Sequence, residues 1–212
     1  MRTVGLFDVP YSRDMSPRVA ALLAAGGGTR FDGPTHKLLA LLHGRPVWEH
    51  SFAHALAAGF DHVIVITGAA PLAISRDASL PPHVELRHND DWRAGQATSL
   101  HVAVRAADEL GADTVTVGLA DQPFVTTDAW RSVADAPADC RIAIATYDGV
   151  PGPNPVRLHR SVWPHLPLEG DEGARGLLRL HPEWVCRVPC IGSLDTVADI
   201  DTTEDLHRWK SC

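Results

Sequence analysis

A run of three glycines directly after an apolar segment constrains this chain more than any other feature. Residues 18–24 (RVAALLA) predict a short buried strand, and residues 25–29 (AGGGT) follow it without a break. Backbone N–H groups in such a loop can converge on phosphate oxygens, and Arg30 and Lys37 are near enough in sequence to reach the same anion. A tight turn that needs positive φ angles explains the glycines as well. The run therefore predicts a phosphate-binding loop or a tight turn after a strand.

Two common phosphate-binding motifs do not fit this loop. A P-loop requires G-x-x-x-x-G-K-[ST], but Gly28 and Gly33 are too close together and Lys37 is followed by leucine. A dinucleotide-binding loop requires G-x-G-x-x-G, and Phe31 stands where the third glycine would be. Both motifs are therefore excluded.

Apolar runs alternate with helical patterns along most of the chain. β-rich runs predict strands at 18–24, 62–67, 84–86, 114–120, 141–146 and 184–188. Helical periodicity and capping residues predict helices from Pro46 to before Gly59, at 95–110, 127–134 and 173–180, and after Thr202 or Thr203. Glycine and proline weaken the alternation at 148–155, and the segment 147–157 could extend away from the main sheet.

This alternation predicts one α/β domain with a mostly parallel sheet and helices on both faces. Ligands of such sheets lie outside the carboxyl ends of the strands. The loops 24–37, 67–71, 120–124 and 146–156 are therefore where a site is expected.

Composition and charge limit the class of protein. The 212 residues are 45% hydrophobic with a net charge of −7, which fits a well-filled α/β domain and argues against nucleic-acid or membrane-surface binding. No secretory signal or transmembrane segment is recognised, so a cytoplasmic location is expected. Residues 1–17, broken by Pro10 and Pro17, predict a flexible N-terminal arm. Without a C-x-x-C pair, the cysteines are expected to be reduced thiols: Cys140, Cys186, Cys190 and Cys212.

Six segments, in order, resemble the molybdenum-cofactor nucleotidylyltransferase family. They span nearly all of the chain and are Leu22–Leu38, Gly44–His50, Asn89–Leu100, Leu119–Pro123, Gly170–Arg175 and Asp199–Leu206. The resemblance implies a Rossmann-like nucleotidyltransferase domain at 18–212, in which an NTP transfers its NMP part to a phosphorylated acceptor and releases pyrophosphate. The Ala-Ala-Gly start of the loop resembles the branch that uses CTP, and the guanylyl branch more often has Ala-Gly-Gly.

The resemblance also implies roles for individual residues. Arg30, Lys37 and Asp121 are the expected catalytic residues, and Mg²⁺ is expected on Asp121 with Asp201 or Asp199. The expected nucleotide-binding residues are Leu23, Ala24, Ala25, Gly26, Gly27, Gly28, Thr29, Arg30, Lys37, Thr67, Gly68, Asn89, Gly95, Ser99 and Asp121. The expected acceptor-binding residues are Asn154, Asp171 and Arg175. A helix-capping role for Asp201 and an exposed ion pair between Asp171 and Arg175 remain alternatives.

Two departures from the family pattern bear on the substrate. The loop before Lys37 is about two residues longer than usual, and Asn154 stands in a segment where the family has Gly-His-Pro-Val. The favoured function is Mg²⁺-dependent transfer of CMP from CTP to molybdopterin. The alternatives are another nucleotide, such as GTP, with another phosphorylated acceptor, and a non-catalytic nucleotide- or cofactor-binding chaperone of the same fold.

Overall fold

The strands and helices of the computed structural model largely follow the alternation in the sequence. The structure describes residues 16–72 and 80–210. Its strands are β1 (Val19–Ala24), β2 (Leu41–Leu42), β3 (Arg45–Pro46), β4 (His62–Thr67), β5 (Val84–His88), β6 (Thr114–Leu119), β7 (Ile142–Tyr147), β8 (Val150–His159) and β9 (Val185–Pro189). Its α-helices are α1 (Val47–Ala57), α2 (Gln96–Glu109), α3 (Thr127–Ala134), α4 (Arg175–Leu180) and α5 (Thr203–Lys210).

One large sheet organises the described residues. Its seven strands run in the order β5-β4-β1-β6-β8-β7-β9. β8 is antiparallel to both of its neighbours, whereas the other neighbouring strands are parallel. β2 and β3 form a separate antiparallel pair. The predicted mostly parallel sheet is confirmed, with one antiparallel strand inserted into it.

Helices cover both faces of this sheet. Successive residues of a strand point to opposite faces. Accordingly, Leu23 of β1 packs in the cluster that contains α2 residues, and Leu22 packs in the cluster that contains α1 and α3 residues. Trp130 of α3 lies so close to Gly118 of β6 that any Cβ at that position would collide with the indole ring. The predicted two-faced α/β architecture is thus confirmed.

Strand β8 is a correction to the sequence prediction. Asp148 and Gly149 have φ angles of 52° and 79°, which form a tight two-residue turn between β7 and β8. A register shift between Ile144 and Thr146 interrupts the pairing of β7 with β8. Such irregularities accommodate prolines, which lack a backbone donor for the sheet. The segment 147–157 therefore continues the main sheet and does not extend away from it.

The cysteines are a second correction. Cys140 and Cys186 form a disulfide with Cα atoms 5.9 Å apart, where reduced thiols were predicted. β7 and β9 are neighbours and pair Ala143 with Cys186, which brings together two cysteines 46 residues apart. This adjacency depends on sheet order, which the cysteine spacing does not reveal. Cys190 is a free thiol, and Cys212 lies outside the described residues.

The N-terminal arm is almost entirely outside the described residues, which begin at Ser16. Ser16 Oγ accepts a hydrogen bond of 2.6 Å from the backbone N–H of Asp113, just before β6. In the described part of the chain, no helix has the length and apolar character needed to cross a membrane.

Candidate active site

A cleft of about 470 Å³ opens at the carboxyl ends of β1 and β6, where the sheet topology predicts a ligand. The glycine-rich loop after β1 forms one wall, and the start of α2 with Asp171 and Arg175 forms another. Three acidic side chains, Asp121, Asp199 and Asp201, line the same space. A phosphate-binding loop and a carboxylate cluster therefore face one another across the cleft.

The glycine-rich loop needs its glycines for close packing and for an unusual backbone conformation. Gly28 has a φ angle of 59°, and its carbonyl accepts a hydrogen bond of 3.0 Å from the N–H of Phe31. A Cβ on Gly27 would lie 2.9 Å from the indole of Trp92. The tight-turn interpretation is therefore correct for Gly28, and it is compatible with a phosphate-binding loop. The expected nucleotide-binding residues of this loop that line the cleft are Leu23, Ala24, Ala25, Gly26, Gly27, Gly28, Thr29 and Arg30.

Lys37 is the centre of a buried charge cluster. It begins a short 3₁₀ turn (Lys37–Leu39), and its Nζ lies 2.6 Å from Asp121 Oδ2 and 2.8 Å from Asp201 Oδ1. Arg30 contacts the other oxygen of Asp201 at 2.8 Å, although its own side chain is 74% exposed. The structure therefore brings together all four expected charged residues, despite the longer loop before Lys37.

The cluster shifts the protonation equilibria of its members. Burial alone would lower the pKa of Lys37, but the negative charges of Asp121 and Asp201 outweigh it and raise the pKa. Burial and the neighbouring charge of Asp121 raise the pKa of Asp199, whose Oδ1 accepts a hydrogen bond of 2.6 Å from Gln122 Nε2. Lys37 therefore stays cationic at neutral pH between its two carboxylates.

Asp201 faces the cleft because other residues cap the last helix. Thr202 Oγ1 accepts a hydrogen bond of 3.1 Å from Asp205 N–H, and Asp205 Oδ2 accepts one of 2.8 Å from Thr202 N–H. This reciprocal pair satisfies the N-terminus of α5. Ile200 is fully buried, and its N–H donates to Asp121 O at 2.9 Å, which joins the two acidic segments. The alternative capping role of Asp201 is therefore filled by Thr202 and Asp205.

The carboxylates fit a divalent cation that keeps water or phosphate ligands. Asp121 Oδ1 is buried and has no hydrogen-bond partner among the described residues, so one carboxylate oxygen is available for a cation. The described ranges contain no group of three or more His, Cys, Asp or Glu side chains arranged to hold a metal. The free oxygen of Asp121, next to Lys37 and Asp201, suits Mg²⁺ or a similar ion, which is commonly bound by one or two carboxylates together with substrate phosphates.

Several expected nucleotide-binding side chains make hydrogen bonds within the protein. Asn89 is buried, and its Nδ2 donates to the hydroxyl groups of Thr98 and Ser99 at 2.9 Å. Thr67 Oγ1 donates to the backbone carbonyl of Arg87 at 3.4 Å. Gly68 packs against Ala25 with no room for a Cβ, so it shapes the loop. Their roles toward a nucleotide remain predictions.

Gly95 and two of the expected acceptor-binding residues, Asp171 and Arg175, form the far wall of the cleft. Gly95 has a φ of 108° and packs directly on the backbone of Gly170, while Asp171 Oδ1 accepts a hydrogen bond of 3.3 Å from Gln96 N–H. Arg175 begins α4 and makes no ion pair with Asp171 within the described residues. The exposed Asp171–Arg175 pair proposed as an alternative is therefore not formed.

A second pocket adjoins this wall. Asn154 is buried, and together with Arg175 it lines a small pocket of about 50 Å³. Leu23 and Gln96 line both this pocket and the main cleft.

Other residues at the cleft were not assigned from the sequence. Arg93 lines the cleft and lies 4.3 Å over the ring of Trp92, and Gln122 positions Asp199. His36 contacts Gly26 O from beneath the loop. No motif marks these three residues. The only hint in the sequence is that each is next to a residue in a recognised segment: Trp92, Asp121 and Lys37, respectively.

Comparison with known proteins agrees with this geometry. Residues 20–185 match the MobA-like NTP transferase domain. The purine catabolism protein PucB of Bacillus subtilis (strain 168) is 34% identical over 206 residues, which cover 92% of this chain and 97% of PucB.

Solved structures share the same fold. A nucleotidyl transferase from Methanothermobacter thermautotroptrophicus is 25% identical with a TM-score of 0.76, covering 92% of this chain and 96% of that one. The manganese complex of Rv0371C from Mycobacterium tuberculosis H37Rv is also 25% identical, with a TM-score of 0.72 and coverage of 92% and 99%. The sequence-based assignment to a nucleotidyltransferase family is thus confirmed, and this chain is an enzyme that belongs to the family of MobA-like NTP transferase domains.

Proposed function

We propose that this enzyme transfers CMP from CTP to a phosphorylated acceptor, with molybdopterin as the favoured acceptor, and releases pyrophosphate. The observation that carries the proposal is the bridge of Lys37 between Asp121 and Asp201 at the mouth of a glycine-rich loop. This arrangement combines cations for a polyphosphate with carboxylates for a divalent metal. The reaction is attack of an acceptor phosphate oxygen on the α-phosphorus of the NTP, with the P–O bond to pyrophosphate breaking.

The residues of the loop act by binding and orienting the triphosphate. Such reactions need charge neutralisation and in-line positioning more than a protein nucleophile, because the acceptor phosphate is already anionic. The N–H groups of residues 26–29 and the exposed guanidinium of Arg30 would bind phosphate oxygens. Lys37 would exchange part of its contact with the carboxylates for the phosphates, and it would neutralise the charge that develops on the leaving pyrophosphate.

Asp121 and Asp201 are the residues that would hold Mg²⁺. The buried, unpartnered Asp121 Oδ1 supports this assignment. A metal held by these two carboxylates would supply charge neutralisation for the phosphates of the nucleotide. Asp199 lies beside them with a raised pKa and is held by Gln122, so its role is to shape the carboxylate cluster.

The acceptor would bind beside the segment 170–175. Asn154 and Arg175 line the small adjoining pocket, and Asp171 fixes the start of α2 between this pocket and the cleft. Arg175 is the cation best placed for an acceptor phosphate, since Arg30 and Lys37 are already paired with carboxylates. We expect the enzyme to work in the cytoplasm on small molecules, without nucleic acid or membrane.

A second candidate is the same chemistry with another nucleotide or acceptor. The longer loop before Lys37 and the presence of Asn154 favour it over a strict copy of the molybdopterin reaction. GlmU of Gluconacetobacter diazotrophicus, named a bifunctional protein, is 34% identical over 124 residues, which cover 58% of this chain but only 24% of GlmU. GTP with a phospho-acid, or a sugar phosphate as acceptor, are the alternatives to test.

Pyrophosphate release measures the proposed reaction directly. CTP, GTP, ATP and UTP would each be incubated with Mg²⁺ and either molybdopterin or a panel of sugar phosphates. We expect release with CTP and molybdopterin, and a loss of about 10³-fold in Asp121→Asn. Asp128→Asn, an exposed aspartate on α3, is the matched control and should retain full activity. Release with another pair would support the second candidate, whereas unchanged turnover in Asp121→Asn would contradict both.

A further inference from the structure

The imidazole of His36 connects the glycine segment of the loop to the turn that carries Lys37. Nε2 of His36 lies 2.9 Å from the carbonyl oxygen of Gly26, and Nδ1 accepts a hydrogen bond of 3.2 Å from the N–H of Leu38. Because the second bond requires an unprotonated Nδ1, the proton resides on Nε2, which donates to Gly26. Burial lowers the pKa of His36, which favours this neutral form.

The same ring packs against the strained part of the loop. Gly28 has a φ of 59°, and a Cβ at that position would lie 3.0 Å from His36 Nε2 and 3.2 Å from Lys37 Cγ. His36 is also the N-cap of the 3₁₀ turn that begins with Lys37. A single side chain therefore contacts the phosphate-binding segment on one side and orients the turn that carries Lys37 on the other.

The length of the loop explains why such a connection is needed. Residues 29–35 separate the run of three glycines from His36, and Asp32, Pro34 and Thr35 are exposed. Two extra loop residues cost little closure entropy, but they add backbone freedom just before the lysine. Lys37 nevertheless lies within 2.8 Å of both carboxylates. The hydrogen bonds of His36 offset this freedom at the point where it would misplace the ammonium group.

We propose that His36 is a positioning residue of the nucleotide site, whose bond to Gly26 holds the phosphate-binding loop and whose bond to Leu38 holds Lys37. The proposal rests on the proposed function, because it assigns the held groups to the phosphates of an NTP. His36 itself contacts no substrate. Substitutions at position 36 can separate the two hydrogen bonds. Asparagine can supply an acceptor near Nδ1 and so keep the bond to Leu38, and glutamine can supply a donor near Nε2 and so keep the bond to Gly26.

Acylation of Lys37 tests the second bond without any nucleotide. The chain has only two lysines, so exposed Lys210 is an internal reference for labelling by trace acetic anhydride. His36→Ala and His36→Gln should raise the Lys37/Lys210 labelling ratio about fivefold, as expected from a net hydrogen bond of about 1 kcal/mol. His36→Asn should keep the ratio near that of the wild type. Ratios that stay within a factor of about two in all three variants would overturn the assignment for Lys37.

Kinetics with Mg²⁺ and CTP test both bonds together. His36→Asn loses the bond to Gly26, so its KM for CTP should rise about fivefold with little change in kcat. His36→Gln keeps that bond but releases Lys37, so its kcat should fall instead. If both variants lost kcat/KM equally, in proportion to their loss of unfolding free energy, His36 would have only a general packing role. That result would overturn the proposal. The comparison of glutamine with asparagine decides the matter even if His36→Ala does not fold.

The proposed function and the positioning role of His36 can be contradicted separately. If the wild type neither binds nor turns over any NTP, the proposed function is contradicted, while the labelling ratio still shows whether His36 holds Lys37. If the wild type is active and the variants show no split between KM and kcat, only the positioning role is contradicted.

Discussion

Lys37 and Arg157 are two buried cations that the fold treats in opposite ways. Lys37 is 8% exposed and Arg157 is 4% exposed. Lys37 is neutralised by two carboxylates at the edge of an open cleft. Arg157 lies in the middle of β8, opposite Thr116 of β6 and Ala143 of β7, and no ion pair joins it to a carboxylate within the described residues.

Backbone carbonyls surround the guanidinium of Arg157. Its NH1 donates to Ala134 O at 3.2 Å and to Ala136 O, and its NH2 donates to Pro137 O at 2.7 Å and to Cys140 O at 3.2 Å. These carbonyls lie at and just after the C-terminus of α3, where the helix dipole is negative. Burial still lowers the pKa of Arg157, partly opposed by Asp135, and its Nε has no partner among the described residues.

The contrast predicts a structural role for Arg157 and a functional role for Lys37. Carbonyl oxygens fixed by a helix end cannot rearrange, so Arg157 holds the 134–140 segment against the sheet. Two carboxylates that face a cleft can exchange an ammonium for a metal or admit a phosphate. We therefore expect loss of Arg157 to lower mainly stability, and loss of Lys37 to lower mainly activity.

The largest expected effect is on the folding of Arg157→Met. The substitution leaves several buried carbonyls without donors, so the free energy of unfolding should fall by about 3–5 kcal/mol. Urea denaturation measures this change, with exposed Arg105→Met as the matched control within about 0.5 kcal/mol of the wild type. If Arg157→Met were as stable as the control, the hydrogen bonds between Arg157 and these backbone carbonyls would not stabilise the fold.

Reduction of the disulfide should have the next largest effect. The bond joins Cys140, whose carbonyl contacts Arg157, to Cys186 across a 46-residue separation. Its removal in Cys140→Ser should lower the free energy of unfolding by about 2–4 kcal/mol under oxidising conditions. Cys190→Ser, which alters a free thiol, is the control. Equal stability of oxidised and reduced wild type would show that the bond contributes nothing.

Lys37→Met tests the other buried cation, which we expect to affect activity more than stability. Removing one charge that stabilises the transition state should lower kcat/KM about 100-fold. Without Lys37, Asp121 and Asp201 repel each other, so Mg²⁺ should stabilise this variant more than it stabilises the wild type. Thermal unfolding with and without Mg²⁺ measures that difference. A variant with normal turnover would place Lys37 in the same structural class as Arg157.

Arg30→Met should give the smallest of these effects. Its guanidinium is mostly exposed and contacts only Asp201 among the described residues, so stability should be unchanged. Loss of a charged hydrogen bond to phosphate predicts an increase of about tenfold in KM for the nucleotide. Steady-state kinetics test this, and an effect on kcat alone would assign Arg30 to another step.

The sequence predicted the parts of the fold that follow local rules. β1, β4, β6 and β7 are apolar runs, and α3 spans the predicted range 127–134 with Thr126 as its N-cap. β8 was missed because its first half carries prolines and a glycine, whose place in the sheet depends on the turn at Asp148 and Gly149. The burial of Arg157 could not be predicted either, because only the tertiary structure brings together the carbonyls that stabilise a buried guanidinium.

The site was predictable where motifs mark it. Asp121 and Asp201 follow apolar positions in recognisable segments, and both reach the cleft. His36, Gln122 and Arg93 carry no motif, because their contribution comes from contacts with neighbours that are set by the path of the loops. Local sequence thus identified the charged groups better than the residues that position them.

Thermal unfolding of the wild type with each of CTP, GTP, ATP and UTP, with and without Mg²⁺, shows whether the cleft binds a metal–nucleotide complex. A ligand that binds only the folded state at about 100 times its Kd adds about 2.7 kcal/mol of stability. We expect such a shift with CTP, and only when Mg²⁺ is present. No shift with any nucleotide in the presence of Mg²⁺, or an equal shift in its absence, would contradict the assignment of Asp121, Asp201 and the glycine-rich loop to a metal–nucleotide site.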